Sequence, residues 1–277
     1  MSHLSRSAST GIRRLTGGYG DAVRHNFVND IGDYAKYALL RALCASGPAD
    51  LRLGVIWYLT EHAAHNGDGR KRAHLSGEGW EEFDPELLGA MRRIEGRLRG
   101  QDDLNLNLIE ASGILPAETT YFSEAVPHAG GSTQQRAADR AAWFERARKA
   151  VEDCDLIFLD PDNGLEVRSA PVTSPQAGKY ATVPEISTLL ESGAAVVLYQ
   201  HGNRTPWPTQ RERMCREISS GTTQPLTIRT LRFGAYGVRA FFCISPSQLL
   251  DEVVQRALDL LYRRTRGWDK SSHLQVE

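Results

Sequence analysis

The fold is decided by the stretch Gln135–Gly164, QRAADRAAWFERARKAVEDCDLIFLDPDNG. Its first part, Gln135 to Glu152, predicts a helix. This helix leads directly into Asp155–Leu159, DLIFL, a short continuous apolar run that fits a strand buried on both faces, as in a parallel sheet. The strand is followed by DPDNG at residues 160–164, where Asn-Gly supplies a tight turn. A helix that feeds a buried strand is the unit from which doubly wound α/β sheets are built.

Two similar apolar runs, LGVIWYL at Leu53–Leu59 and AAVVLY at Ala194–Tyr199, predict two more buried strands. Leu226–Phe233 and Val238–Ile244 alternate in polarity and predict an antiparallel hairpin. Further helices are predicted at Asp33–Cys44, Pro85–Arg99, Pro184–Glu191 and Pro246–Arg264, and a further strand at Thr119–Val126. The predicted fold class is therefore α/β, a Rossmann-like, doubly wound, mostly parallel sheet with a C-terminal antiparallel hairpin.

The length and composition are those of an ordinary globular protein. The chain has 277 residues, 41% of them hydrophobic, which one large core can organise. We expect a flexible N-terminal arm at residues 1–18, which are rich in Ser, Arg and Gly, and a single domain over residues 19–277. The cysteines Cys44, Cys154, Cys215 and Cys243 are far apart, which argues against structural zinc and a disulfide framework.

Charge and hydropathy limit the partners. The 33 basic and 34 acidic residues leave a formal charge of −1, so any contact with nucleic acid must use a local patch. No apolar run approaches the roughly 20 residues of a membrane helix. The first ten residues, MSHLSRSAST, lack the apolar centre of a signal peptide, which predicts a cytoplasmic protein with no membrane partner.

Polar residues follow each of the three buried strands. The segment TEHAAHNG at residues 60–67 follows the first strand. Its histidines, His62 and His65, are candidate metal ligands or hydrogen-bond donors to a carboxylate. DPDNGLE at residues 160–166 follows the second, and QHGNRTPW at residues 200–207 follows the third. Ligands of doubly wound sheets bind beyond the carboxyl ends of the strands, so we expect the three segments to meet in one cleft. Each of these three segments is also compatible with a solvated loop that has no function.

These segments resemble motifs of class I S-adenosylmethionine-dependent methyltransferases. The resemblance is closest to the adenine-N6 methyltransferases of large-subunit ribosomal RNA and to the three-Cys-motif partner proteins. Asp33 and Lys36 match an opening motif N-x-x-D-x-x-K-H, in which Asp30 and Tyr37 replace the Asn and the His. His62, Ala63 and, loosely, Gly67 match D-T-H-A-G-A-G, and Asp160-Pro161 matches D-P-P-Y, with Asp162-Asn163 in place of Pro-Tyr.

The resemblance implies a methyltransferase that acts on an amine nitrogen of a nucleic-acid base with S-adenosylmethionine as cofactor. Asp160 would then accept a hydrogen bond from the amine, with Asp162, Asn163 and His201 beside it. The implied cofactor-binding residues are Asp33, Lys36, Tyr37, His62 and Gly67. Because Asn163 replaces the aromatic residue that stacks on the base, we expect Trp207 to stack and Arg204 to meet a phosphate.

Two other hypotheses remain open at this point. Asp160, Asp162, Glu166 and His201 could bind divalent metal ions in a nuclease or phosphohydrolase. Alternatively, the departures from the glycine-rich motif favour a non-catalytic Rossmann-like module that binds a partner protein. The methyltransferase hypothesis names no metal ligand, so the three hypotheses make different predictions for this carboxylate cluster.

Overall fold

The protein is described by a computed structural model over residues 29–60, 71–98, 106–127, 130–174, 176–235, 237–268 and 270–277. The expected arm at residues 1–18 and the predicted site residues His62 and Gly67 lie outside these ranges. The helices are α1 Ile31–Ser46, α2 Ala73–Ser76, α3 Pro85–Leu98, α4 Asn107–Glu110, α5 Thr133–Ala150, α6 Val183–Glu191, α7 Trp207–Ser220 and α8 Gln248–Arg264. The strands are β1 Leu53–Trp57, β2 Thr120–Phe122, β3 Leu156–Asp160, β4 Gly164–Leu165, β5 Tyr180–Ala181, β6 Ala195–His201, β7 Thr227–Phe233, β8 Arg239–Ser245 and β9 Leu274–Val276.

Seven strands form one sheet in the order β2-β1-β3-β6-β8-β7-β9. The first four are parallel to one another, and β8, β7 and β9 each run antiparallel to their neighbour. This confirms the predicted Rossmann-like fold with a C-terminal antiparallel hairpin. The hairpin is not the last part of the sheet, because β9 pairs with the outer edge of β7. A separate ladder of two short strands joins β4 to β5.

Apolar layers cover both faces of the large sheet. On one face α1, α3 and α8 pack against side chains such as Val55 and Phe158, and on the other α5, α6 and α7 pack against Ile56 and Leu159. Successive residues of a strand point to opposite faces, so a strand buried on both sides needs an unbroken apolar run. This is why the runs in β1, β3 and β6 are continuous. No helix in the described part of the chain is long and apolar enough to cross a membrane.

The structure corrects the assignment of residues 200–207 to a loop. β6 continues to His201, which pairs with Arg239 of β8, and α7 begins at Trp207. Pro208 lies in the first turn of α7, where a proline costs no intrahelical hydrogen bond. This proline is the sequence signal from which the start of the helix could have been predicted.

A cluster of aromatic rings below α1 contains a buried histidine. The ring of His74 lies 5.9 Å from that of Tyr34 and 6.2 Å from that of Trp80, measured between centroids. The His74 side chain is inaccessible to solvent. Burial lowers the pKa of His74 to about 4, because the charged imidazolium would lose its hydration.

We expect this histidine to weaken the fold in mild acid. Between its ordinary pKa of about 6.5 and the folded value, only the unfolded chain takes up the proton. The free energy of unfolding should therefore fall by about 2 kcal/mol between about pH 7.5 and pH 5, as measured by urea denaturation. His74→Leu should remove this part of the pH dependence, whereas His273→Leu, which changes a more exposed ring of the same cluster, should keep it. An unchanged acid loss in His74→Leu would contradict the prediction.

Candidate active site

A cavity of about 340 Å³ opens at the carboxyl ends of the parallel strands. Along the chain, β1 is followed by β2 on one side of it and by β3 on the other, so the strand order reverses between β1 and β3. Open α/β sheets bind their ligands at such a switch point. The end of β1 contributes Trp57 to Thr60, β3 and its turn contribute Asp160 to Asn163, and β6 contributes Tyr199 and His201. The volume of the cavity is within the range of small-molecule binding sites.

The floor of the cavity is an ion-paired triad. Lys36, one turn into α1, places its Nζ 2.8 Å from Oδ1 of Asp33 and 2.7 Å from Oδ2 of Asp160. The rings of Trp57 and Tyr37 lie 5.4 Å and 5.6 Å from the same nitrogen. The ammonium group is thus buried between two carboxylates and aromatic faces, which leaves the triad with one net negative charge.

The two partners of this ion pair have perturbed acidities. Burial raises the pKa of Asp160 to about 6, although Lys36 beside it acts in the opposite direction. Burial alone would lower the pKa of Lys36, but Asp160 and Asp33 more than offset this, and its pKa lies well above the ordinary value. The lysine therefore stays charged, whereas the pKa of the Asp160 carboxyl group is raised to about 6.

The entry to α1 holds the triad in place. Asp30 caps the helix, and its Oδ1 accepts from the backbone N–H groups of Gly32 and Asp33 at 2.6 and 3.2 Å. Asn29, which has a left-handed φ of +72°, donates its backbone N–H to Oδ2 of Asp33 at 2.8 Å. Both oxygens of Asp33 are therefore bonded, which fixes the carboxylate that in turn holds Lys36.

The turn after β3 is tied to β6 by one amide side chain. Gln200 is buried, and its Oε1 accepts from the N–H of Leu165 at 3.0 Å. Its Nε2 donates to the carbonyl oxygens of Asn163 and His201 at 2.7 and 2.8 Å. Between these contacts Gly164 has φ +103°, and a Cβ built there would collide with the Gln200 amide. The path of the chain beyond Asp160 thus depends on a glycine next to a glutamine.

Gly164→Ala should destabilise the fold by about 1 to 2 kcal/mol more than Gly193→Ala. Both glycines have a left-handed φ, but a Cβ at Gly193 meets nothing within 4 Å. The comparison therefore separates backbone strain, which both variants share, from displacement of the Gln200 amide, which only one suffers. Urea unfolding of the two variants measures the difference. Equal losses would show that the amide moves aside without cost.

The structure brings most of the predicted site residues to this cavity. Its wall includes Asp33, Lys36, Tyr37, Asp160, Asp162, Asn163 and His201. The expected roles of Trp207 and Arg204 are not supported, since neither belongs to the described wall of the cavity. The indole N–H of Trp207 instead donates to the Glu277 carboxylate at 3.0 Å, and its ring packs on Phe242 and on the guanidinium of Arg232. Trp207 begins α7 and lies outside the described wall of the cavity.

The carboxylate cluster of the metal hypothesis is not assembled. Among the described residues, no group of three or more His, Cys, Asp or Glu side chains could hold a metal ion. Oδ2 of Asp160 is occupied by Lys36, and Oε1 of Glu166 accepts from the backbone N–H of Val183 at 2.9 Å. Glu166 therefore accepts a hydrogen bond from the first residue of α6 and is not part of the described cavity wall.

Several wall residues were missed by the sequence analysis. Trp57 and Thr60 lie in the wall because they are at the end of β1, and Tyr199 because it is near the end of β6. The predicted ends of these strands could therefore have indicated all three residues. Lys179 was not missed, since its place downstream of the Asp160 turn indicated that it could cover this turn; its carbonyl oxygen accepts from the N–H of Asn163 at 2.9 Å. Arg239 had no signal, since its place depends on how the hairpin joins the sheet.

Two buried polar atoms belong to wall residues at the end of β1. The indole Nε1 of Trp57 and the hydroxyl of Thr60 are buried, and neither has a hydrogen-bond partner among the described residues. Buried donors of this kind are rare and call for an explanation, of which a bound ligand is one.

Comparisons with protein-family models and with curated proteins find no match to this chain.

Proposed function

We propose that the protein is an S-adenosylmethionine-dependent methyltransferase that acts on the amine nitrogen of a nucleic-acid base. The observation that carries the proposal is Asp160, a largely buried carboxylate at the switch point, with one oxygen held by Lys36 and the side chain in the cavity wall. The resemblance of the segments around Asp33, Lys36 and Asp160 to methyltransferase motifs adds support. A cytoplasmic location, where such substrates are found, is part of the proposal.

The cavity wall is compatible with the cofactor. Trp57 and Thr60, whose buried donors have no hydrogen-bond partner in the described part of the chain, lie at the end of β1 next to the switch point, where nucleotide-like ligands bind in this type of sheet. S-adenosylmethionine supplies an electrophilic methyl group and offers hydroxyl and ring nitrogen acceptors. Tyr37 lies in the same wall.

The residues of the chain would position the amine. Lys36 fixes one oxygen of Asp160, which leaves the other to accept a hydrogen bond from the exocyclic N–H. This contact would orient the nitrogen lone pair toward the methyl group that bound S-adenosylmethionine would supply. The surplus proton leaves the nitrogen by way of Asp160 or solvent. Positioning of this kind supplies much of the rate enhancement in two-substrate reactions.

The proposal is tested by calorimetric titration of the full chain with S-adenosylmethionine and by transfer of a labelled methyl group to RNA and DNA. We expect binding in the micromolar range and label in one of the two polymers. Absence of binding into the millimolar range would end the proposal. The metal hypothesis would instead predict stabilisation by divalent ions, and the assembled cluster that it requires is lacking among the described residues.

A further inference from the structure

We infer that Arg239 is the receptor for an oxyanion, a phosphate or a carboxylate, of the ligand bound in the cavity. The inference rests on the proposed function, since it names a group of the substrate or cofactor. Arg239 is the first residue of β8, its side chain is 8% exposed, and it lines the cavity. A guanidinium group offers five donors in a planar fork that matches an oxyanion.

The bonds that Arg239 makes are long. Its Nη2 lies 3.4 Å from Oδ2 of Asp30, and its Nη1 lies 3.3 and 3.4 Å from the carbonyl oxygens of Ala235 and Gly237. Hydrogen bonds between charged groups are ordinarily shorter, at about 2.7 to 2.9 Å. Among the described contacts, no short bond therefore satisfies this buried cation.

Other arginines of the chain show that short, forked pairs form where a carboxylate is available. Arg140 in α5 binds Glu185 at 2.7 and 2.9 Å. Arg229 in β7, which pairs with the strand of Arg239, binds Asp251 at the same two distances. Asp30 cannot serve Arg239 in this way, because its other oxygen caps α1. A buried charge is costly unless it is well paired, so an incoming anion would gain the full fork.

The position of Arg239 is fixed independently of any ligand. It pairs with His201 at the end of β6, and its Nε lies against the first turn of α1. A Cβ at Gly32 would come within 2.5 Å of that nitrogen, so a larger residue at this position should displace the guanidinium. The fork is thus held at the cavity before a ligand arrives, which lowers the entropy cost of binding.

The test compares ligands with and without the anion. In the wild type, AMP should bind about 10- to 100-fold more tightly than adenosine if the anion belongs to the substrate. S-adenosylmethionine should exceed its decarboxylated analogue by a similar factor if the anion belongs to the cofactor. Arg239→Lys, which keeps the charge but loses the fork, should reduce the relevant ratio to about threefold or less. Arg229→Lys, on the same hairpin but outside the cavity wall, should leave both ratios unchanged.

A second variant protects the test against misfolding. Arg239→Gln combined with Asp30→Asn removes the buried charges together and retains a good helix cap. It should abolish the same ratio while the urea midpoint stays within a small shift. The inference is overturned if the wild type binds AMP no better than adenosine and S-adenosylmethionine no better than its decarboxylated analogue. It is also overturned if these affinity ratios persist in Arg239→Lys, or if none of the four ligands binds. If a ratio collapses but no methyl group is transferred, the oxyanion receptor stands and the proposed function fails.

Discussion

Asp160→Asn is expected to reduce methyl transfer by about 10²- to 10³-fold, the loss found when one preorganised polar contact to the reacting group is removed. The amide has the size of the carboxylate, but its oxygen will face Lys36, which already holds Oδ2 of Asp160. Its NH₂ group will then face the amine of the base, so that two donors oppose each other. Lys36 keeps its bond to Asp33, and the fold should therefore survive.

Asp155→Asn is the matched control, because it changes a carboxylate at the opposite end of β3. Its Oδ2 accepts from the backbone N–H of Arg52, remote from the cavity wall. It should leave both cofactor affinity and transfer rate close to the wild type. Asp160→Asn should bind S-adenosylmethionine within a few fold of the wild type, and full transfer activity in this variant would exclude Asp160 as the acceptor.

The same carboxyl group should set the acid limb of the reaction. Burial raises the pKa of Asp160 to about 6, and only the ionised form has both oxygens available as acceptors. The value of kcat/KM should thus fall about tenfold per pH unit below that point, because it reports the groups of the free enzyme. The limb should be absent from the residual activity of Asp160→Asn.

Lys36→Met should destabilise the fold by about 3 to 5 kcal/mol, the usual cost of removing one partner of a buried ion pair. Asp33 and Asp160 would remain buried without the cation that separates them. Loss of Lys36 also removes the influence that lowers the pKa of Asp160, so that pKa should rise further. Because a protonated Asp160 carries no charge, the loss should be larger at about pH 8 than at about pH 5.5.

Urea unfolding at the two pH values measures both effects. The control Lys149→Met changes an exposed lysine of α5 and should alter stability by less than about 0.5 kcal/mol. The double variant Lys36→Met with Asp160→Asn should recover part of the lost stability, since one uncompensated charge is gone. If Lys36→Met unfolds like Lys149→Met at both pH values, the triad does not stabilise the protein.

The sequence predicted the central part of the fold because its strands are buried on both faces. Continuous apolar runs in β1, β3 and β6 allow few other assignments. Asp160 was recognised because it follows a predicted buried strand, whereas Asp33 and Lys36 were recognised only through the resemblance to a methyltransferase motif. Trp207 was placed in a loop because the nearby Gly202 and Pro206 are typical of turns. Arg239 and Asp30 are 209 residues apart in the chain, so their contact depends on tertiary structure that no local pattern encodes.

The reversed direction of β8 has a consequence for how specificity could diverge among proteins built on this plan. An antiparallel strand delivers its first residue, here Arg239, to the edge where parallel strands deliver their last. Substitutions in the connection between β7 and β8 should therefore redirect the guanidinium of Arg239, while the parallel strands, one of which ends in Asp160, keep their register.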